Sequence, residues 1–182
     1  MSDLLEKEKD MKNISLQKMV VLAMFSTVAL TIFVIESMLP PLAPIQGVKL
    51  GLANVITLIL LICFNERDAF LVLLVRIILG SICAGQMMSF MYSLCGGLLC
   101  FLTMSLINRL LRKQYIFITS VFGAIAHNIG QLGVAIVMTG SLSILLYLPV
   151  MMISAVLTGL FTGFCAWFTA PRLKKYLKKN HI

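Results

Sequence analysis

Six long apolar runs, separated by short polar segments, leave this chain few ways to fold. They cover residues 18–36, 50–64, 68–83, 88–107, 115–138 and 142–169. Each is near or above the roughly 15 to 20 residues that a helix needs to cross about 30 Å of hydrocarbon. Because 60% of the 182 residues are hydrophobic and only 12% are charged, a soluble core cannot absorb these runs. The pattern predicts an integral membrane protein.

The form of these spans follows from the backbone. Backbone polar groups in lipid must form hydrogen bonds within the protein, which permits helices or a closed β-barrel. The runs lack the alternation of polar and apolar residues that barrel strands show. We therefore expect an all-α bundle of six transmembrane helices. The short second and third runs are joined by NERD at 65–68, which predicts a tight helical hairpin.

The basic residues predict the orientation. With the N-terminus inside, 13 of the 15 Lys and Arg residues flank spans on the cytoplasmic side, and only Lys49 and Arg76 do not. We therefore expect both termini to be cytoplasmic. The expected parts are a cytoplasmic N-terminal segment (1–17), a six-helix transmembrane domain (18–170) and a basic cytoplasmic tail (171–182). Charges spread in this way favour contact with anionic lipid and argue against nucleic-acid binding.

Polar side chains within the spans are the candidates for a site, because such residues are costly in a bilayer. For straight helices that rise 1.5 Å per residue, the outer half of the bundle holds a polar layer of Asn54, His127, Asn128 and Gln131. His127, Asn128 and Gln131 share one helical face, because they are spaced three and four residues apart. These side chains either contact a ligand or form hydrogen bonds between helices, and for His127 we favour ligand contact.

Arg76 interrupts the apolar third run near mid-depth. A permanent charge there needs a partner, and a guanidinium binds carboxylate or phosphate through two parallel hydrogen bonds. The alternative is that its long side chain extends to the cytoplasmic boundary. Glu36 lies about 15 Å above Arg76 on the straight-helix depth scale. Lys49, at the outer rim, is therefore the nearer candidate to pair with Glu36.

The segment between the first and second runs is rich in proline. It contains Pro40, Pro41 and Pro44. Proline cannot continue a helix, and it restricts the preceding residue to extended conformation. We expect a stiff external loop that closes as a lid over an outer pocket, with Glu36 and Lys49 as a gate pair at the mouth. An ordinary proline-rich connector is the alternative.

Four stretches of the chain resemble one known family. They are ESMLPPLAPIQGVKLGLANVITL, VRIILGS, SFMYSLCGGLL and AIAHNIGQL. The family is heptaprenyl diphosphate synthase component I, also called the Gx transporter family, and the similarity covers roughly residues 18–170. One departure is Gln46, where family members often have proline.

The resemblance implies a location in a bacterial inner membrane, a fold and a function. The family is similar in size and helix number to the substrate-binding S components of energy-coupling factor (ECF) transporters. It is also similar to a membrane component associated with flavin-based extracellular electron transfer. An S-component-like protein would bind a vitamin-like or an isoprenoid- or quinone-related molecule. Asn54, His127, Asn128 and Gln131 would bond its polar part. Arg76 would neutralise an anionic group or secure the pocket floor.

Uptake would also require partner proteins, because the chain has no ATP-binding motif. Ala23 and Thr27 are small residues four apart on the first helix, a spacing that permits close helix packing. We expect them to contact the coupling subunit of a transporter with its ATPases.

The family's enzymatic name does not predict catalysis by this chain. Prenyl diphosphate synthases hold Mg²⁺ with clustered aspartates, whereas Asp occurs here only at Asp3, Asp10 and Asp68. The sequence also contains no nucleophile elbow and no H-E-x-x-H motif. We therefore expect no catalytic residue, metal site or cofactor. The alternative to a substrate-binding protein is an accessory membrane subunit that anchors a soluble prenyl synthase or a redox partner.

Overall fold

The computed structural model describes residues 2–38, 49–85, 87–111 and 115–179, with side chains from residue 16 onward. These residues form six α-helices and one short 3₁₀ helix, and this part of the chain contains no strand. The helices are α1 (Ser2–Met38), α2 (Asn54–Cys63), α3 (Glu66–Ala84), α4 (Met87–Leu110), α5 (Ile116–Thr139), the 3₁₀ helix (Leu142–Tyr147) and α6 (Leu148–Lys179). The expected all-α class is confirmed.

Within the described part of the chain, four helical segments are long and apolar enough to cross a membrane. They are Leu16–Met38, Met87–Leu110, Ile116–Thr139 and Leu142–Lys179. Large apolar side chains, such as Phe161 and Trp167, are exposed on their outer faces. A surface of this kind is suited to lipid rather than to water. The chain is therefore a multi-pass membrane protein, as the sequence predicts.

The second apolar run forms a helix of a different kind. α2 has 10 residues, so it is about 15 Å long, half the thickness of the hydrocarbon core. Eight of its side chains are buried, and it packs against α3, α4 and α6. A helix that is apolar all round is typical of a buried position. α2 is therefore an interior helix, surrounded mostly by protein.

Charged side chains join the N-terminal half of α1 to the corner between α2 and α3. Lys18 Nζ lies 2.8 Å from Asp68 Oδ2, which places these two parts of the chain at the same end of the bundle. Further along, the Phe33 ring packs directly on Gly80, where a Cβ would lie 2.5 Å from the ring. α1 therefore lies along α3 for most of the length of α3.

α1 and α6 are continuous through the boundaries expected for the terminal segments. α1 runs without a break through residues 17 and 18, and α6 runs through residues 170 and 171 even though Pro171 lies within it. The N-terminal and C-terminal segments are thus helical extensions of the first and last apolar helices in the described residues.

Close contacts between α5 and α6 depend on glycine. A Cβ at Gly159 of α6 would lie 2.6 Å from the Cα of Val121 in α5. One turn away, the Ser120 and Thr162 hydroxyls are 2.6 Å apart and share a hydrogen bond between the same helices. Small residues at helix contacts are typical of membrane proteins, because packing replaces the hydrophobic effect there.

We expect Gly159→Ala to lower the stability of the purified protein, because the added methyl group meets backbone atoms that cannot rotate away. Overpacking of this kind costs about 1–3 kcal/mol. Gly133→Ala is the matched control, since Gly133 also lies in a helix and a Cβ there meets nothing within 4 Å. Thermal unfolding in detergent should show a lower midpoint for Gly159→Ala only. Equal midpoints for the two variants would contradict the close packing of α5 and α6.

Candidate functional site

The chain is not helical just before α2, and protein covers this break. Gly51 and Ala53 are buried, and Gly51 has a φ of 81°, a conformation that favours glycine. Irregular backbone at membrane depth is tolerated where protein satisfies its polar groups. The Glu36 carboxylate accepts a hydrogen bond from the Gly51 N–H. Gln131 Oε1 accepts one from the Lys49 N–H, with 3.3 Å between the heavy atoms.

The Gln131 amide also fixes the proton position of His127. Because Gln131 Oε1 accepts from Lys49, its Nε2 is the atom that faces His127, and the two Nε2 atoms are 3.0 Å apart. Gln131 therefore donates and His127 Nε2 accepts. This assignment, made from the hydrogen-bond network, puts the proton of the neutral imidazole on Nδ1.

Arg76 is almost fully buried, with 3% of its surface exposed. Its Nη2 donates to Asn54 Oδ1 over 3.0 Å. Its Nε and Nη1 are buried and find no hydrogen-bond partner among the described residues. Buried donors without partners are rare in folded proteins, and each calls for an explanation. The guanidinium can therefore donate two further hydrogen bonds to an anionic or carbonyl oxygen.

One small cavity connects these groups. Its walls include Glu36, Asn54, Arg76 and His127. These four residues come from α1, α2, α3 and α5. The volume is about 10 Å³, room for about one water molecule. We refer to Glu36, Asn54, Arg76, His127 and Gln131 as the polar cluster.

Lys49 lies at the edge of the polar cluster and also lines the cavity. Its Nζ donates to Ser37 Oγ over 3.1 Å and lies 3.4 Å from the centre of the Phe33 ring. Burial lowers the pKa of Lys49 to about 8, while the charge of Glu36 acts in the opposite direction. The predicted gate pair therefore shares a cavity, but the ammonium contacts Ser37 and Phe33 directly.

The depth calculation separated Glu36 from Arg76 more than the structure does. The calculation places them about 15 Å apart in depth, yet both line the same cavity. Straight crossings count only backbone rise and leave out the reach of the long Glu36 and Arg76 side chains, which extend to the same cavity. Arg76 donates to Asn54 and not to Glu36, so the negative charge stabilises the guanidinium through space.

Asn128 lies apart from the polar cluster. Its Nδ2 donates to the Met151 carbonyl over 2.7 Å, which ties α5 to α6. His127 and Asn128 are neighbours on a helix and point about 100° apart, so one faces the cavity and the other faces α6. The expected shared face thus holds for His127 and Gln131 only.

Two other sets of predicted residues are placed differently. The lid prolines Pro40, Pro41 and Pro44 lie outside the described residues. Ala23 and Thr27 are exposed on α1, and Thr27 Oγ1 donates to the Ala23 carbonyl over 3.0 Å. The exposure of these two residues leaves that face of α1 free of contacts within the described chain.

Sequence reasoning did not identify three residues that shape the cavity. Phe33 and Ser93 line it, and Gly96 makes space for the imidazole, because a Cβ there would lie 2.9 Å from His127 Nδ1. Ser89, Ser93 and Gly96 recur three and four residues apart on α4. This spacing places small side chains on one helical face. It is the feature of the sequence from which this wall of the cavity could have been predicted.

The polar cluster offers hydrogen-bond donors in an apolar interior. Among the described residues, no group of three or more His, Cys, Asp or Glu side chains is placed to hold a metal ion. The free donors of Arg76 are suited to an oxygen with negative charge. Arg76 is thus the donor-rich cation of the polar cluster.

A model of the family described as heptaprenyl diphosphate synthase component I matches residues 25–169. The match covers most of the chain and includes the whole polar cluster. No curated protein and no solved structure matches the chain.

We expect Gly51→Ala to destabilise the protein more than Gly85→Ala. Both glycines have positive φ, 81° and 63°, so both variants carry the same kind of backbone strain, about 1–2 kcal/mol. Only at Gly51 would the new Cβ also collide with a side chain, 2.8 Å from His127 Cδ2. The difference in thermal midpoint between the variants measures how tightly the imidazole and the Asn54 amide, whose Nδ2 would lie 2.9 Å from the same Cβ, are packed. Equal midpoints would show that the ring is loosely held.

Asn54→Leu should reveal how strongly the protein depends on the Asn54–Arg76 bond. Removing the acceptor leaves the buried guanidinium without its hydrogen bond, at a cost of about 1.5–3 kcal/mol. In the Arg76→Met background the same substitution should cost much less, because the donor is absent. Unfolding of the four proteins in detergent gives the coupling energy of the pair. A cost that is the same in both backgrounds would show that the bond is not formed.

Proposed function

Because the chain belongs to the heptaprenyl diphosphate synthase component I family, we propose that it is a non-catalytic membrane protein that binds a small anionic molecule at the polar cluster. In this proposal it is a substrate-binding protein of the S-component type, with six membrane-embedded helices in a bacterial inner membrane. Both termini face the cytoplasm. The ion pair between Lys18 and Asp68 supports this topology, because the start of the first span and the α2–α3 corner lie on one side.

Two guanidinium nitrogens of Arg76, buried and without a partner among the described residues, are the observation that carries the proposal. Asn128, which joins α5 to α6, has its Nδ2 donor bonded to Met151, although its Oδ1 has no partner among the described residues. Arg76 differs in that two of its buried donors, Nε and Nη1, find no partner in the described part of the chain. A carboxylate or phosphate oxygen of a ligand would satisfy them, and the ligand's charge would be neutralised by the surplus positive charge of Arg76 and Lys49 over Glu36.

Ligand entry requires the bundle to open, because the cavity has room for about one water molecule. α1 is the helix suited to move. Its apolar segment is the least buried of the four long ones, at 17%, and it packs mainly on α3. Separation of α1 from α3 would lift Phe33 and Glu36 away from Arg76. His127 and Gln131 would then bond the polar part of a vitamin-like, isoprenoid- or quinone-related ligand.

Transport would depend on other proteins in this proposal. The exposed face of α1 that carries Ala23 and Thr27 is suited to pack against a helix of an ECF coupling subunit, because small side chains permit close approach. Ligand binding and partner contact would then use two faces of the same helix.

The family's name supports a second candidate function. It describes one component of a synthase, which favours association with a separate prenyl synthase subunit. In that case the chain would act as a membrane accessory subunit of prenyl diphosphate or quinone synthesis, or of flavin-based extracellular electron transfer.

We expect the purified full-length protein to retain an acidic small molecule that depends on Arg76. Mass spectrometry of the denatured protein's extract should detect the compound in the wild type and in Arg172→Gln, and at least about tenfold less in Arg76→Gln. Arg172 is the matched control because it is an exposed arginine at the far end of α6. His127→Ala should reduce retention as well.

Size-exclusion chromatography and thermal unfolding will show whether each variant is folded. Equal retention in folded Arg76→Gln and in Arg172→Gln would remove this site. Stable recovery of a soluble prenyl synthase or a redox protein, with no retained compound, would favour the accessory function.

A further inference from the structure

The bundle contains a second and larger cleft at the opposite end of α2 from the polar cluster. Its volume is about 510 Å³, within the usual range for small-molecule sites. Leu61 and Phe64 form an apolar part of its wall, and Asn65, Arg67 and Arg109 form a polar part. The cleft thus has the amphiphilic lining that suits a polar group attached to an apolar one.

One wall of the cleft is held in place by a buried amide. Asn108 lines the cleft, is 7% exposed, and donates from Nδ2 to the Leu61 carbonyl over 3.3 Å. This bond satisfies a carbonyl in the last turn of α2, where helices lack partners of their own. It fixes α4 against the end of α2, so the cleft is a defined feature of the fold.

The charges around the cleft do not cancel. The Glu66 carboxylate forms a two-pronged ion pair with Arg109, in which Nε lies 2.7 Å from Oε1. Asp68 pairs with Lys18 over 2.8 Å. Each acidic residue of this corner therefore has its own cation. Arg67 is exposed, lines the cleft and forms no ion pair with any described residue, so one positive charge is left over.

We propose that this cleft binds a phosphate group carried by an amphiphilic molecule, with Arg67 as its main contact. Guanidinium groups bind phosphate in a two-pronged geometry, and the surplus charge at the cleft is positive. Asn65 adds a polar side chain beside Arg67, while Leu61 and Phe64 receive an apolar part of the ligand. The chemistry is common to phospholipid headgroups and to free phosphate compounds.

The position of the cleft favours a ligand at the membrane boundary. Phe70 and Leu71, one turn beyond the charged start of α3, are exposed apolar side chains. The outer surface thus changes from charged to apolar within one helical turn of Arg67. Phosphates of lipids lie at such a boundary, where arginine and lysine contribute to binding of anionic headgroups.

The test uses the full-length protein in detergent and two pairs of probes, with binding followed by isothermal titration calorimetry. Dihexanoyl phosphatidylglycerol represents the lipid source, and dihexanoylglycerol is its control without phosphate. Inorganic pyrophosphate represents free phosphate compounds, and sodium sulfate is its control anion. Each probe is added to the wild type, to Arg67→Gln and to Arg172→Gln, an exposed arginine outside the cleft.

We expect a phosphate probe to bind the wild type and Arg172→Gln alike, and to bind Arg67→Gln about tenfold more weakly. Binding of the phospholipid alone identifies a headgroup site, and binding of pyrophosphate identifies a site for free phosphate compounds. Equal weakening of phosphate-probe binding in both variants would show that general surface charge attracts the probe, and would overturn the proposal. Failure of both phosphate probes to bind, or equal binding of the control probes, would overturn it as well.

The result is independent of the polar cluster. Arg76→Gln, if folded, should bind the phosphate probe as the wild type does, because Arg76 does not line this cleft. A loss of binding in Arg76→Gln as large as in Arg67→Gln would contradict a separate site.

Discussion

The break in the chain before α2 is the constraint on which the rest of the polar interior depends. Backbone groups enclosed in an apolar bundle must be bonded, because no water is present to replace a missing partner. Glu36 and Gln131 bond the N–H groups of Gly51 and Lys49. A buried carboxylate in turn needs a nearby cation, which Arg76 supplies, and Arg76 is held by Asn54. One irregular turn thus accounts for most of the charged and polar side chains around it.

These successive requirements distinguish the contacts that the fold needs from those that it does not explain. Glu36, Gln131 and Asn54 each have a bond that the fold needs. The same reasoning uses only one of the three guanidinium nitrogens of Arg76 and leaves Nε and Nη1 unexplained. A positive charge introduced merely to balance Glu36 does not require a group with so many donors. The excess of donors at Arg76 is therefore the part of the cluster that points beyond the fold itself.

The sequence predicts the class of fold and most members of the polar cluster, because the cost of polar groups in lipid applies wherever a span is buried. It does not distinguish α2 from a lipid-facing span, because a helix that is apolar on all sides has the same kind of composition whether lipid or protein surrounds it. The sequence also does not predict the direction of the Asn128 side chain, which faces α6 through its bond to Met151. The second cleft was missed because Asn108 and Arg67 belong to separate helices, and no spacing along the chain connects them.

The short length of α2 explains why both candidate sites lie where they do. The start of this 10-residue helix lies within the bundle, so its terminal N–H groups cannot reach bulk water, and its end meets the polar corner that carries Asn65 and Arg67. Polar residues therefore gather at each end. The polar cluster forms at the start of α2 around Asn54, and Asn108 bonds the Leu61 carbonyl near its end. The polar groups required at these positions supply the hydrogen-bond donors on which both proposed sites depend, whereas the apolar middle of α2 offers none.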